Sequence, residues 1–205
     1  MSKKIHLGCG KRYLEGYVHV DIHPHDHVDY VSSIDKLDMF QDGYANLIYA
    51  SHCIEYFDRD EVVEVLKEWK RVLEPNGTLR VAVPNFEALM KVYSISNDLN
   101  KILGPLYGKW NIGEDKHIYH KTVYDMESLT VLLKQVGFEQ VREWDWKDVF
   151  SIHGNSFLLK GDTTISQDNV TITVMQDGAT DTFQATNEEK LGQYNLIDSE
   201  WIQQT

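Results

Sequence analysis

Apolar residues arrive early in this chain, in runs too short for helices. Ile5–Leu7 leads straight into the turn Gly8-Cys9-Gly10. Val18–Ile22 alternates as Val-His-Val-Asp-Ile and predicts a strand ending on Asp21, and Asp29–Ser32 predicts a short third strand. Asn46–Ser51 is mostly apolar, as in a strand buried on both faces, and Gln41-Asp42-Gly43 before it signals a turn. The period then changes. Val62, Val65, Leu66, Trp69, Val72 and Leu73 recur at helical spacing behind Asp58, which with Glu61 fits a capping box. Glu74-Pro75-Asn76-Gly77 stops that helix, and Thr78–Val83 predicts another strand, ended by Pro84. Strand, helix and strand of these lengths form a parallel crossover.

Further on, Phe86–Tyr93 predicts a short helix. Ser94–Lys116 carries glycines at 104, 108 and 113 and Pro105 with little periodicity, which predicts a loop that acts as a lid or binding segment. Asp125 caps a helix with Leu129, Leu132, Leu133 and Val136 on one face and Gly137 at its end. Phe138–Trp146 and Val170–Met175 are the remaining predicted strands, and the polar tail from Asp177 to Thr205 is left without assignment. This order describes an α/β sheet, mostly parallel, with its ligand expected at the carboxyl ends of the strands. One domain over 1–176 is expected, with 94–124 as its substrate segment and 177–205 as a C-terminal extension.

Composition narrows the function. With 42% hydrophobic and 25% charged residues in 205, the chain reads as globular. A net charge of −12 disfavours nucleic acid and anionic membranes as partners and leaves small molecules open. The two cysteines, Cys9 and Cys53, make no metal-type pair and read as reduced thiols of a cytoplasmic protein. No leader and no membrane span are expected.

Gly8 and Gly10 let the backbone turn sharply and approach a ligand, and Asp21 at the end of the next strand suits a ribose diol. Asp21 lies 11 residues beyond Gly10, against the roughly 20 of a nicotinamide fingerprint. Three segments then resemble the type 11 class I methyltransferases, in the small branch with a shortened first helix: residues 5–10 (Ile-His-Leu-Gly-Cys-Gly), 16–21 (Gly-Tyr-Val-His-Val-Asp) and 50–55 (Ala-Ser-His-Cys-Ile-Glu). Residues 71–80 (Arg-Val-Leu-Glu-Pro-Asn-Gly-Thr-Leu-Arg) and the stretch from His120 to Phe138 are similar to later parts of that family. The resemblance covers about residues 4–146 and extends to Val170–Met175.

It implies a Rossmann-like methyltransferase fold, a mostly parallel sheet with an antiparallel last strand, and S-adenosylmethionine (SAM) as cofactor. It also implies that Gly8, Cys9 and Gly10 contact the methionine part, Asp21 the ribose and Ile22 the adenine. Ser33 and Ile34 would lie at the adenine edge, and Ala50, Ser51 and His52 near the methyl group. There are two departures. Ser33 stands where the family usually has an acidic residue for the adenine amino group, and His6 where an acidic residue or Asn precedes the glycine turn. Both imply weaker binding of SAM.

Methyl transfer from a sulfonium gains much from alignment alone, and needs a base only when the acceptor must lose a proton. His52 and His120 are the candidate bases, against a packing role for each. Tyr107, Trp110, His117 and Tyr119 are candidate substrate contacts, aromatic faces suiting sugars and other amphipathic ligands. The cluster His19, Asp21, His23, His25, Asp26, His27 and Asp29 has metal-ligand chemistry, but it is split between a strand face and a Pro24 loop. It reads as a solvated loop flanking the cofactor, with no metal expected. The expectation is a SAM-dependent methyltransferase acting on a small-molecule or sugar-type acceptor, with homo-oligomers open. The alternative is a catalytically silent SAM-binding or assembly protein.

Overall fold

The computed structural model describes residues 3–113, 116–143, 170–176 and 179–185. Strands β1 (Lys4–Leu7), β2 (Tyr17–Asp21), β3 (Tyr30–Val31), β4 (Ala45–Ser51) and β5 (Leu73–Ala82) form one sheet in the order β3-β2-β1-β4-β5. Every pairing in it is parallel. The chain adds strands on one side of β1 and then returns to the other. That reversal opens a crevice at the carboxyl ends of β1 and β4, where ligands settle in such sheets. The helices are α1 (Glu61–Val72), α2 (Phe86–Ser96), α3 (Asn100–Tyr107) and α4 (Met126–Val136). The three connections before β4 hold no helix, as the short early segments predicted.

Register gives the sheet two unlike faces. Ile5 and Leu7 stand level with Val18 and Val20 of β2 and with Ile48 and Ala50 of β4, and level neighbours share a face. Ile5, Leu7, Val20, Ile48 and Ala50 join Val62, Val65, Leu66, Trp69 and Val72 of α1 and Leu133 and Val136 of α4 in one core. Each large apolar side chain buried there is worth about 1.5–3 kcal/mol. His6 is level with His19 and Tyr49 on the other face. All three are buried, with the His6 ring centroid 5.7 Å from that of His19 and 5.0 Å from that of Tyr49. The segment between β1 and β2 serves this polar row in place of a helix. Tyr13 stacks on His19 at 5.2 Å, and the Leu14 N–H donates to His19 Nε2 at 2.9 Å.

The predicted capping signals are real contacts. Asp58 Oδ1 accepts from the Glu61 N–H at 2.8 Å, while the Asp58 N–H donates to Glu61 Oε2 at 3.1 Å. At the other end Arg71 pairs with Glu68 and Asp42 and donates to the carbonyls of Leu37 and Phe40, tying the helix-free 32–44 connection to α1. Asp125 and Ser128 close a full capping box on α4, and Gly137 ends it in the left-handed region at φ 95°. Lys70 Nζ donates to the Val136 and Gly137 carbonyls, joining α1 to that helix end.

Several expectations change. Segment 94–116 is not a bare loop: it contains α3, with Pro105 inside it, and strand β6 (Trp110–Gly113), which pairs antiparallel with β7 (Lys116–Ile118). Residues 138–143 form no strand, and Trp144 and Trp146 lie outside the described residues. β8 (Val170–Gln176) is antiparallel as expected, but its partner is β9 (Ala179–Ala185) in a separate two-stranded sheet, so the hairpin runs into the predicted tail. β5 begins at Leu73, and its pairing with β4 jumps from Leu73 to Thr78, leaving the Glu74–Gly77 stop signal as an irregularity within the strand. By its contacts the chain divides into Met1–Phe86 with Tyr107–Val141, and Glu87–Leu106 with Arg142–Thr205. The first unit holds the parallel sheet and all of the site below. In the second, Leu89, Val92 and Ile102 form a small core of their own.

Candidate functional site

The Gly8-Cys9-Gly10 turn leaves the end of β1 with both glycines in the left-handed region, at φ 60° and 52°. A side chain at Gly8 would strike Cys53 Sγ, because the turn after β4 lies directly against this loop. Cys53 Sγ donates to the Leu7 carbonyl across the same gap at 3.4 Å. A β-carbon at Gly10 would come within 3.6 Å of the Trp110 ring, so the β6–β7 hairpin covers that glycine.

Asp21 braces the loop. Its Oδ2 accepts from the Gly10 N–H at 2.7 Å and its Oδ1 from the His23 N–H at 2.8 Å, and the residue is 5% exposed. The brace missing at His6 is therefore supplied from β2. His6 instead belongs to the polar row on the far face of the sheet. Each Asp21 oxygen keeps a second lone pair, so bracing the turn and receiving a diol are compatible. Ile22, next along, leaves 43% of its surface exposed beside this turn.

At the expected adenine edge, the Ser33 hydroxyl donates to Asp35 Oδ1. A carboxyl therefore stands beside the position where the family's acidic residue is missing. Ile34 packs against the main core, and its carbonyl accepts from Trp69 Nε1 at 2.7 Å. Ala50 is buried in the core and offers a neighbouring ligand only backbone.

Beyond β4 the chain bends sharply. His52 adopts φ 53°, a strained value for a non-glycine residue, and its N–H donates to the Ala82 carbonyl at 2.9 Å. Its imidazole Nδ1 lies 3.2 Å from Oε1 of Glu55, which is 1% exposed. Residues 120–124 are strapped alongside. The Lys121 and Thr122 N–H groups donate to the Glu55 carbonyl at 2.7 and 3.3 Å, and the Phe86 N–H donates to the Tyr124 carbonyl at 2.8 Å. The His120 ring meets Tyr56 edge-on at 4.8 Å and fills the space that a side chain at Gly108 would need. Tyr124 Oη and Glu55 Oε2 are both buried and lack a hydrogen-bond partner among the described residues. Burial, with the Glu55 charge adding to it, pushes the Tyr124 hydroxyl up to about 12.

Of the residues singled out in the sequence, Gly8, Cys9, Gly10, Asp21, Ile22, Ser51, His52 and Trp110 gather at the strand ends, with His120 beside the turn after β4. Tyr107, His117 and Tyr119 are exposed. The sequence assigns Tyr124 only to an aromatic wall of the pocket, and gives Glu55 and Asp35 no role. For Glu55 the signal was its place three residues after His52 on a tight turn. Both thiols are buried, which pushes Cys9 up to about 12 and Cys53 well above its usual value and disfavours the thiolate at each. In the histidine-rich segment His19 is buried on its strand, with Asp29 Oδ2 accepting from its N–H at 2.7 Å, while Pro24, Asp26 and Asp29 of the loop are exposed. Among the described residues no group of three or more His, Cys, Asp or Glu is placed to hold a metal ion, and no helix is long and apolar enough to cross a membrane.

Residues 7–81 match the sequence model of a family described as a methyltransferase domain. No curated protein matches the chain. Solved structures that resemble it include a SAM-dependent methyltransferase from Archaeoglobus fulgidus, at 18% identity and TM-score 0.48 over 80% of this chain and 69% of that one. Another, from Thermotoga maritima, gives 15% and 0.49 over 92% and 78%, and a third, from Methanosarcina mazei, 17% and 0.48 over 79% and 84%. The matched span runs from the end of β1 to β5 and contains the glycine turn, Asp21 and the His52 bend. Over that span, in which an acid on β2 holds the glycine turn after β1, the chain is similar to a methyltransferase domain.

Proposed function

We propose that the chain methylates a small-molecule acceptor, sugar-type molecules included, with His52 as general base. SAM would lie along Gly8–Gly10, with its ribose at Asp21 and its adenine over Ile22 towards Ser33 and Asp35. SAM supplies a methyl group on a positively charged sulfur that leaves readily. The protein's part is then to align the acceptor and, where needed, to take its proton. The observation that carries this reading is the His52–Glu55 pair. A carboxyl on Nδ1 selects the tautomer with Nε2 unprotonated, stabilises the imidazolium that forms, and fixes the ring. The pair sits on the bend that packs against the glycine loop, at the end where the methyl group belongs. In support, the carboxyl is buried and the backbone is held at a strained φ that a purely structural bend would have no need to keep.

The test is a methyl-transfer assay with labelled SAM, run across amine, hydroxyl and sugar acceptors. Once an acceptor is found, His52→Gln should lower kcat by roughly 10²–10⁴-fold while SAM affinity stays within about twofold. Unchanged kcat in that variant would remove the base from the mechanism.

A further inference from the structure

We infer that Glu55 and Tyr124 form the receptor for a protonated amine, so that the acceptor is an ammonium-bearing molecule (amino sugars among them) and not a simple alcohol. This rests on the reading of the His52 bend as the methyl-transfer site.

Glu55 Oε1 is engaged by His52 Nδ1, but Oε2, on a residue 1% exposed, has no partner among the described residues. Tyr124 is 6% exposed, and among the described residues its hydroxyl also has none, although it is close enough for the Glu55 charge to act on it. Leaving a buried polar atom unpaired costs about 1–3 kcal/mol, and more for a charged group. Two such atoms, on residues that the backbone bonds from Lys121 and Thr122 to the Glu55 carbonyl hold in one region, call for a ligand that satisfies both.

The kind of ligand follows from donor counting. A carboxyl oxygen and a phenol oxygen both have lone pairs to fill. An alcohol brings one O–H and satisfies one of them, whereas an ammonium brings three N–H donors and a charge opposite to that of Glu55. Among the described residues, Lys121 Nζ pairs with Glu61 at 2.7 Å, and Arg59, whose charge reaches Tyr124, is itself exposed to water. The net charge of −12 draws cations towards the whole molecule.

The reaction then balances. Neutral His52 takes one proton from the bound ammonium and becomes imidazolium. The freed nitrogen lone pair attacks the methyl carbon, and the carbon–sulfur bond breaks with its electron pair left on sulfur. The products are a methylated ammonium, the neutral thioether and the imidazolium, with two positive charges before and after.

The experiment titrates the protein, saturated with S-adenosylhomocysteine, with benzylammonium and with benzyl alcohol at pH 7. Benzylammonium should bind at least about tenfold more tightly than the alcohol, the scale of one charge-assisted hydrogen bond. Glu55→Gln, which keeps the shape but removes the charge, should abolish that preference, and Tyr124→Phe should reduce it, with S-adenosylhomocysteine affinity unchanged in both. Equal binding of the two probes, no amine binding at about 10 mM, or a preference that survives in Glu55→Gln would overturn the inference and leave the two atoms to a structural water. Loss of S-adenosylhomocysteine binding by the wild-type chain would instead overturn the site reading itself. Thermal melting of both variants guards against misfolding, and Tyr124→Phe, which removes only a hydroxyl, decides the matter should Glu55→Gln not fold.

Discussion

Replacing Asp21 by alanine strips the acceptors from two backbone N–H groups at once, those of Gly10 and His23, at a site only 5% exposed. Each bond to a charged carboxyl is worth about 1.5–3 kcal/mol. Gly10 is buried and His23 half-buried, so water replaces the carboxyl only in part, and the expected net loss is about 2–4 kcal/mol of folding stability. For a chain of this size that is a fall of roughly 5–15 °C in Tm, present before any cofactor is added. SAM affinity should drop by a further 10–150-fold or so, the equivalent of one lost charge-assisted bond to ribose. Asp21→Asn keeps one acceptor oxygen and should lose about half as much stability. Urea unfolding of the free protein separates the two effects, with calorimetry reporting SAM affinity. If the free Asp21→Ala protein is as stable as wild type, the carboxyl is not the brace of the glycine turn, whatever happens to binding.

Other outcomes follow from single contacts. Gly8→Ala places a methyl group on Cys53 Sγ at φ 60° and should cost about 1–3 kcal/mol, with SAM binding lost; retained stability and binding together would show that the two loops are not in contact. Burial holds His6 and His19 below their ordinary 6.5, with nearby imidazoles adding to the shift and Asp29 opposing it at His19, so the folded state carries fewer protons than the unfolded chain. Stability should be full above pH 6.5 and fall as the pH drops through the folded values; His6→Phe should flatten that fall, and an identical pH–Tm curve for the variant would refute it. Asp125→Ala opens the capping box of α4 and should lower stability by about 1 kcal/mol in denaturant unfolding; no change would mean that α4 holds by packing alone.

Much of the sheet was legible because β1, β2 and β4 follow one another with little between them but turns. Asp58, Asp125 and Gly137 announced the helix ends through local chemistry that survives in the fold. The glycine turn and Asp21 were legible for the same reason: each does its work through backbone geometry that residue type dictates. What failed was pairing over distance. Val170–Gln176 reads as a strand, but nothing in its own residues says that Ala179–Ala185, and not the parallel sheet, is its partner. The α3 segment was hidden by Gly104 and Pro105, which argue against a helix locally. Glu55 was hidden because its spacing from His52 acquires meaning only with its burial. Its carboxyl becomes a partner of His52 only when the bend at φ 53° turns the two side chains together.

The account stands or falls on the cofactor. Calorimetric titration of the unmodified chain with SAM and with S-adenosylhomocysteine is the most direct measurement. It should give one site per chain, a dissociation constant in the micromolar range and a favourable enthalpy from the polar contacts at Asp21 and the glycine turn. Absence of binding to either compound at about 1 mM, in protein shown to be folded, would contradict the assignment of the Gly8–Asp21 crevice.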